Sequence, residues 1–427
     1  MGREIFIGNQ KLDVAGLKSE GKEVKLDNES FYKITHINSI RPFFISIASS
    51  DDHWLFISSN GGVSAGRGNS NNALFPYYTD DKITENLENT GPKTIFHVEK
   101  GNKVLLWEPF SNNYLGTYKI QRNLYKNLTG NKVIFEEINN DLGLAFSYQW
   151  TTSKAFGFIR TAKLANIKNK ITKINALDGI QNILPWGVDE GMQVNSSNLV
   201  DAYKRSELEP KGKIGIFALS AVIVDKAEPS EALKSNVVWS PDFQSAPRLL
   251  SNLQINNFRY GSVVKTEQDI KGERGSYFIN FKTNLKPKQI KEWQIIADTG
   301  LDHSGVAKLE KSLRQSKKLK ADISKDINAG QSELVKLISS SDGIQKTQDR
   351  NRNIRHFSNT LFNIMRGGIF DNNYQVNKAD FLKYLKKANK QVFKKYSAVI
   401  ETLPNNFHFS KLFNFCTERS TDFFRLI

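Results

Sequence analysis

A chain of 427 residues with 39% hydrophobic and 11% aromatic side chains is long enough for two or three domains with sizeable cores, and its composition excludes wholesale disorder. One cysteine, Cys416, excludes an intrachain disulfide framework. No run approaches the 18 apolar residues of a membrane span and "MGREIFIGNQ" has no signal-peptide apolar region, so no membrane partner and a cytoplasmic location are expected. The net charge of +16 is uneven: residues 301–427 carry 23 Lys+Arg against 12 Asp+Glu, so most of the surplus lies in the C-terminal third. There it either coats a solvated helical surface or attracts an acidic partner.

From the N-terminus to about residue 300, short apolar or alternating runs recur between Gly- and Asn-containing turns: "FFISIAS", "HWLFISS", "TIFHVEK", "KVLLWEPF", "NKVIFEEI", "GLAFSYQWTT", "FGFIRTAKL", "GIFALSAVIV", "SNVVWS" and "GSYFINFKT". Length and β-branched or aromatic content make them strands. With no strand–helix alternation, the expected fold is a large antiparallel two-sheet β-sandwich over 1–300. Two copies of Asp-Gly-Ile-Gln, in "LDGIQNILP" (177–185) and "SDGIQKTQD" (341–349), read as turns, with Gly supplying a positive φ.

Near residue 300 the period changes. Val306, Leu309, Leu313, Ile323 and Ile327 are spaced mostly by three and four among charges, which predicts helix. A second amphipathic helix is expected after Gly330, a third over "RHFSNTLFNIMRGG", and a fourth over "NKADFLKYLKKANKQVFKKYSAVIETL", ended by Pro404. In the fourth, Phe381, Leu385, Ala388 and Val392 share one face and Lys383, Lys386, Lys387 and Lys390 cover the rest. The expected organisation is sandwich 1–300, helical linker 301–400 and the start of a further helical domain 401–427.

The segment most suggestive of chemistry is "GRGNSNNALFPYYTDDKI" (66–83). Short amide and carboxylate side chains beside two tyrosines suit a ligand with many hydroxyls and apolar C–H faces, which is a sugar. Arg67, Asn69, Asn72, Tyr77, Tyr78, Asp80 and Asp81 are therefore candidate sugar ligands. The competing reading is an Ω-loop whose asparagines close their own turns.

This segment resembles a stretch in the N-terminal sandwich domain of cellobiose-phosphorylase-like enzymes and cyclic glucan synthases. The resemblance runs through Gly68, Asn69, Ser70, Leu74, Pro76, Tyr77 and Asp80, with "SSNGGVSAG" similar to the preceding glycine hairpin. It covers about 30 residues; Asn71 stands where a basic residue is usual, and the spacing to the leucine is one residue short. The resemblance implies a large sandwich, linker helices and an (α/α)6 barrel that supplies a catalytic carboxylic acid, with sandwich loops shaping the site, often across a homodimer. Such a barrel needs twelve helices, roughly 300 residues at about 11–12 per helix plus loops. About 125 residues follow position 300. The expectation is thus an N-terminal portion of a carbohydrate-active enzyme, with an oligosaccharide as ligand, a partner subunit or separate catalytic domain, and no catalytic residue of its own.

Other stretches are weighed against plainer roles. Asp225, Glu228 and Glu231 are three apart, but Pro229-Ser230-Glu231 also reads as a helix start. Trp186 beside Asp189 and Glu190 is either a sugar platform or a packed sandwich tryptophan. Arg366, before Gly367-Gly368, is a further candidate ligand or the end of a helix. "GVSAG" (62–66) matches a nucleophile elbow in letters but precedes no helix. The six histidines are not metal-spaced, and no phosphate or dinucleotide loop occurs, so no cofactor is expected. Two rival functions remain: a nucleic-acid binder using the basic helices, although aromatics are not interleaved with the lysines, and a hydrolase using Asp80 or Asp81.

Overall fold

The computed structural model describes residues 4–427 apart from 8–9, 13–17, 79, 222–232, 346, 366–373, 413–422 and 424–427; only the backbone is described for Ile7, Gln10, Asp80 and Asp81. Contacts divide the chain into two compact units, Met1–Gln331 and Ser332–Ile427.

The first unit is dominated by antiparallel sheets. The alternation Leu144, Phe146, Tyr148, Trp150 places one face of strand Leu144–Ser153 in the core, as a period of two requires. This strand sits inside an 11-stranded sheet that runs from Gly21–Leu26 at one edge to Asp269–Lys271 at the other. A five-stranded sheet has the order Lys103–Trp107, Gly91–Lys100, Thr172–Ile183, Gly275–Leu285, Arg248–Leu249. A four-stranded meander comprises Phe44–Ile47, His53–Ser58, Val63–Arg67 and Ala73–Phe75. Antiparallel strands were expected, but three sheets rather than two contribute to one apolar cluster, including Ile57, Leu74, Phe96, Phe146, Ile279 and Trp293.

Two fully buried charges join the large sheets. The Arg160 guanidinium forks onto Asp178, with Nη1 to Oδ2 at 2.7 Å and Nη2 to Oδ1 at 2.9 Å. The Asp178 carboxylate also accepts from Thr94 Oγ1 and Trp293 Nε1, both at 2.6 Å. Fully hydrogen-bonded burial of this kind is the form in which a buried carboxylate is tolerated.

Asp178 overturns one expectation. "LDGIQNI" is no turn: it continues strand Thr172–Ile183, paired on both sides. Gly179 is there for close approach, since a Cβ would lie 2.2 Å from the Tyr277 carbonyl oxygen. The positive φ belongs to Asn182 (58°), at a bulge between Gln181 and Ile183. The second copy does turn, with Asp342 (φ 54°) rather than the glycine in the left-handed region.

Four short helices interrupt the strands: α1 (Asp80–Glu85), α2 (Glu190–Asn195), α3 (Ser197–Tyr203) and α4 (Ile255–Arg259). The predicted amphipathic stretch forms α5 (His303–Leu313), capped by Asp302 Oδ1 accepting from Gly305 N at 2.8 Å, and α6 (Ser316–Ser340). Val306, Leu309, Leu313, Ile323 and Ile327 pack on Ile159, Val237, Trp239 and Ile296, side chains on the outward face of the 11-stranded sheet. Gly330 does not separate two helices; α6 runs through it, at the tolerable cost of about 1 kcal/mol relative to alanine.

The second unit contains α7 (Arg350–Met365), α8 (Lys378–Ala388), α9 (Lys390–Glu401) and a two-stranded ladder of Gln375–Asn377 with Asn406–His408. The single helix expected over 378–401 is two. Asn389 breaks it: its φ/ψ is extended and its Oδ1 accepts from Gln391 N and Val392 N, capping α9. Phe381, Leu385 and Val392 are buried with Tyr396 and Ile400 as their spacing predicts, whereas Ala388, beside the break, is exposed; the four lysines are exposed. Cys416, in the predicted terminal helical segment, lies outside the described residues. Among the described residues no helix is long and apolar enough to cross a membrane.

Candidate functional site

The 66–78 segment leaves the four-stranded sheet and returns to it. Across the hairpin Trp54 faces Gly66, and a Cβ at Gly66 would lie 2.4 Å from the indole. This glycine lets the indole lie over the backbone, where Trp54 Nε1 donates to the Asn69 carbonyl at 3.0 Å. Asn69 Oδ1 accepts from Asn71 N at 3.0 Å and caps the short turn Ser70–Asn72. The asparagines therefore do close a local turn, as the plainer reading holds. They are not exhausted by it: neither the Asn69 amide nitrogen nor the Asn72 side chain has a hydrogen-bond partner among the described residues, and Asn69 is exposed.

Tyr77 is 39% exposed and stands edge-on to Trp54, with centroids 5.5 Å apart and planes at 78°. Its backbone N–H donates to Gln193 Oε1 of α2 at 3.1 Å, and Asn71 Oδ1 accepts from Glu190 N at 3.2 Å. The loop is thus stitched to α2, whose N-cap is Asp189, accepting from Met192 N at 2.7 Å. Tyr78 is half-buried, with its N–H donating to Ser64 Oγ. Ser64, the serine of the elbow-like "GVSAG", is fully buried and donates to the Pro76 carbonyl at 2.7 Å, so its hydroxyl is structural.

Arg67 does not present its guanidinium as a ligand fork. Nε pairs with Asp52 at 2.8 Å, Nη1 with Asp298 at 3.1 Å and Nη2 with Asp51 at 3.4 Å. Its partial burial would lower its pKa, but the carboxylates of Asp298 and Asp52 outweigh that and raise it. Burial pushes the Asp298 carboxyl up, opposed by Arg67. Beside this cluster His53 is buried, with Nδ1 3.2 Å from Ser49 Oγ and Nε2 without a hydrogen-bond partner among the described residues. Burial, aided by the nearby Arg67 charge, lowers its pKa to about 4. Asp51, Asp52 and His53 bring potential metal-ligating atoms within 4.8 Å of one another. Arg67 pairs with both carboxylates and with Asp298, which makes the cluster an ion-paired brace for the loop.

Asp80 and Asp81 open α1, with their side chains outside the described residues. Arg366 and the trio Asp225, Glu228 and Glu231 also lie outside them. Trp186 is half-buried, with Lys234 Nζ 5.4 Å from its ring centroid and Gly300 packed against it. The structure thus joins Asn69, Asn72, Tyr77 and Tyr78 in one segment and adds Trp54, which the sequence reading missed. Counting hairpin register would have found it, because a glycine opposite a tryptophan marks an indole laid on backbone.

These features make a rim of amide donors and ring edges. Residues 370–427 match the family described as glycoside hydrolase family 149 insertion domain 1. That segment is similar to part of a carbohydrate-active enzyme, in agreement with the resemblance seen independently around residues 66–83. No curated protein matches the sequence. Solved structures with similar backbones include a bacterial glucoamylase complexed with acarbose (TM-score 0.44, 10% identity, covering 87% of this chain and 54% of that one). Two others are a protein described as a kojibiose phosphorylase from the human microbiome (0.35, 10%, 63% and 31%) and a polysaccharide lyase (0.33, 10%, 63% and 34%). The chain spans about half the length of the first and about a third of the others.

Proposed function

We propose that this chain is the sugar-binding and scaffolding portion of a carbohydrate-active enzyme of the glycoside hydrolase or phosphorylase kind. In this reading the two larger sheets form a sandwich, and the rim of Asn69, Asn72, Tyr77 and Trp54 holds an oligosaccharide. A separate helical-barrel domain or partner subunit, in a cytoplasmic homodimer, supplies the acid that protonates the glycosidic oxygen. Asp80 and Asp81 would border the rim, and Arg366 is a further candidate sugar ligand of the second unit. The observation that carries the proposal is the exposed Tyr77 ring braced edge-on by Trp54, beside amide donors that the loop's own turn leaves unused. An aromatic body with polar neighbours offers both a C–H-contacting surface and hydroxyl partners.

Affinity electrophoresis of the full chain through gels containing glycogen, laminarin or soluble cellulose derivatives tests it. Retardation in at least one gel is expected, reduced by Tyr77→Ala together with Asn69→Ala, with little dependence on salt. No retardation in any gel contradicts it. Binding to single-stranded DNA that falls steeply with salt would instead move the function to the exposed lysines of the second unit.

A further inference from the structure

The outer face of the five-stranded sheet is divided. Toward one end Ile95, Leu177, Leu249 and Phe278 are covered by Ile255 and Phe258 of α4 and by Val264. Toward the other end that cover stops and polar side chains join Val104 and Leu106 on the same face, forming an open cavity of about 430 Å³. Its floor is a grid set by strand register. His97, Asn175 and Lys282 align on one rung, and Lys173 lies opposite Asn284 on the next, with Glu99 3.8 Å from Lys173. Strands about 4.8 Å apart with alternating side chains present such heads as a regular array.

The array holds unused hydrogen-bonding capacity. Lys282 and Asn284 have no side-chain partner among the described residues, and Asn175 spends only its oxygen, accepting from Asn280 Nδ2 at 2.9 Å. One wall is Tyr260, 87% exposed at the end of α4. That wall is fixed in place. Arg259 forks onto the buried Glu108 at 3.0 and 2.8 Å, and Phe258 stacks on His97 with centroids 4.5 Å apart and planes at 10°. Tyr260 thus stands exposed on a firmly anchored support.

We propose that this groove is a second saccharide-binding site, separate from the rim and suited to an extended, unbranched oligosaccharide. Lys282 and the two amides donate to its hydroxyl oxygens, Glu99 accepts from a hydroxyl, and Tyr260 packs on the C–H face of one ring. Lys173, Lys282, Glu99 and the two amides offer donors and acceptors to hydroxyl groups, and Val104 and Leu106 on the same rungs offer apolar surface to C–H faces. The ligand class rests on the functional reading above.

The test is calorimetric titration of the full chain with maltoheptaose, cellohexaose, laminarihexaose and xylohexaose, using wild type, Tyr260→Ala, Lys282→Ala and Tyr77→Ala. All three substitutions are at surface positions and should leave the thermal unfolding midpoint unchanged. At least one oligosaccharide is expected to bind, with tenfold or greater weakening in Tyr260→Ala and Lys282→Ala and a binding phase that survives Tyr77→Ala. If Tyr77→Ala removes all binding while Tyr260→Ala changes nothing, the rim stands and the groove proposal is overturned. If the reverse holds, the groove stands and the rim does not. Absence of binding by every oligosaccharide overturns the groove proposal.

Discussion

Two buried polar side chains set the sharpest expectations at the residue scale. His53 is held neutral, its pKa lowered from 6.5 to about 4 chiefly by burial. A base with a depressed folded pKa contributes stability that is present above about 6.5 and lost as pH falls toward 4. The gap corresponds to roughly 3 kcal/mol at its limit. Urea unfolding between pH 7 and 4 should show that loss in wild type, and His53→Phe, which keeps a ring against Phe158, should flatten it; equal slopes in the two proteins would refute the assignment. Asp178 is the second. Its replacement by alanine strands the Arg160 guanidinium in the core and should cost about 3–5 kcal/mol, read as a lower urea midpoint. Arg67 was legible as a functional arginine only in type: its main partner Asp298 is 231 residues away, and no local pattern announces a contact of that range.

At the scale of elements, what the sequence revealed depended on whether each signal was local. Strands with clear apolar alternation, such as Leu144–Ser153, and helices with three–four spacing, such as α5, were legible because period alone identifies them. Strand Ile120–Asn127 escaped because it buries Arg122 and Asn123, whose partners Glu137 and Glu136 come from the neighbouring strand, and Asn127, which donates to Glu29 and Asn131. Strand Thr172–Ile183 escaped because an Asp-Gly pair signals a turn unless a buried arginine waits for the aspartate. Asn389 was readable in principle, as an N-cap residue inside a long helical pattern. Asn389→Ala should remove two capping bonds to α9 and lower stability by about 1 kcal/mol. A drop in the thermal midpoint checks this; no change would mean that α8 and α9 merge without penalty.

For the whole molecule, the same sheets that bury the core leave two polar surfaces in the first unit: the loop rim braced by Arg67 and the groove walled by Tyr260. The rim was visible in the sequence because its residues are consecutive. The groove was not, since its floor is assembled from strands more than 180 residues apart by a register that only long-range pairing fixes. Binding of an oligosaccharide at the rim should be visible in tryptophan emission. Titrating the full chain with the oligosaccharide that binds best should shift the emission through Trp54, the indole touching Tyr77. A saturable shift that Trp54→Phe abolishes is expected. A shift of undiminished size in Trp54→Phe, or none in wild type at saturating sugar, would contradict it.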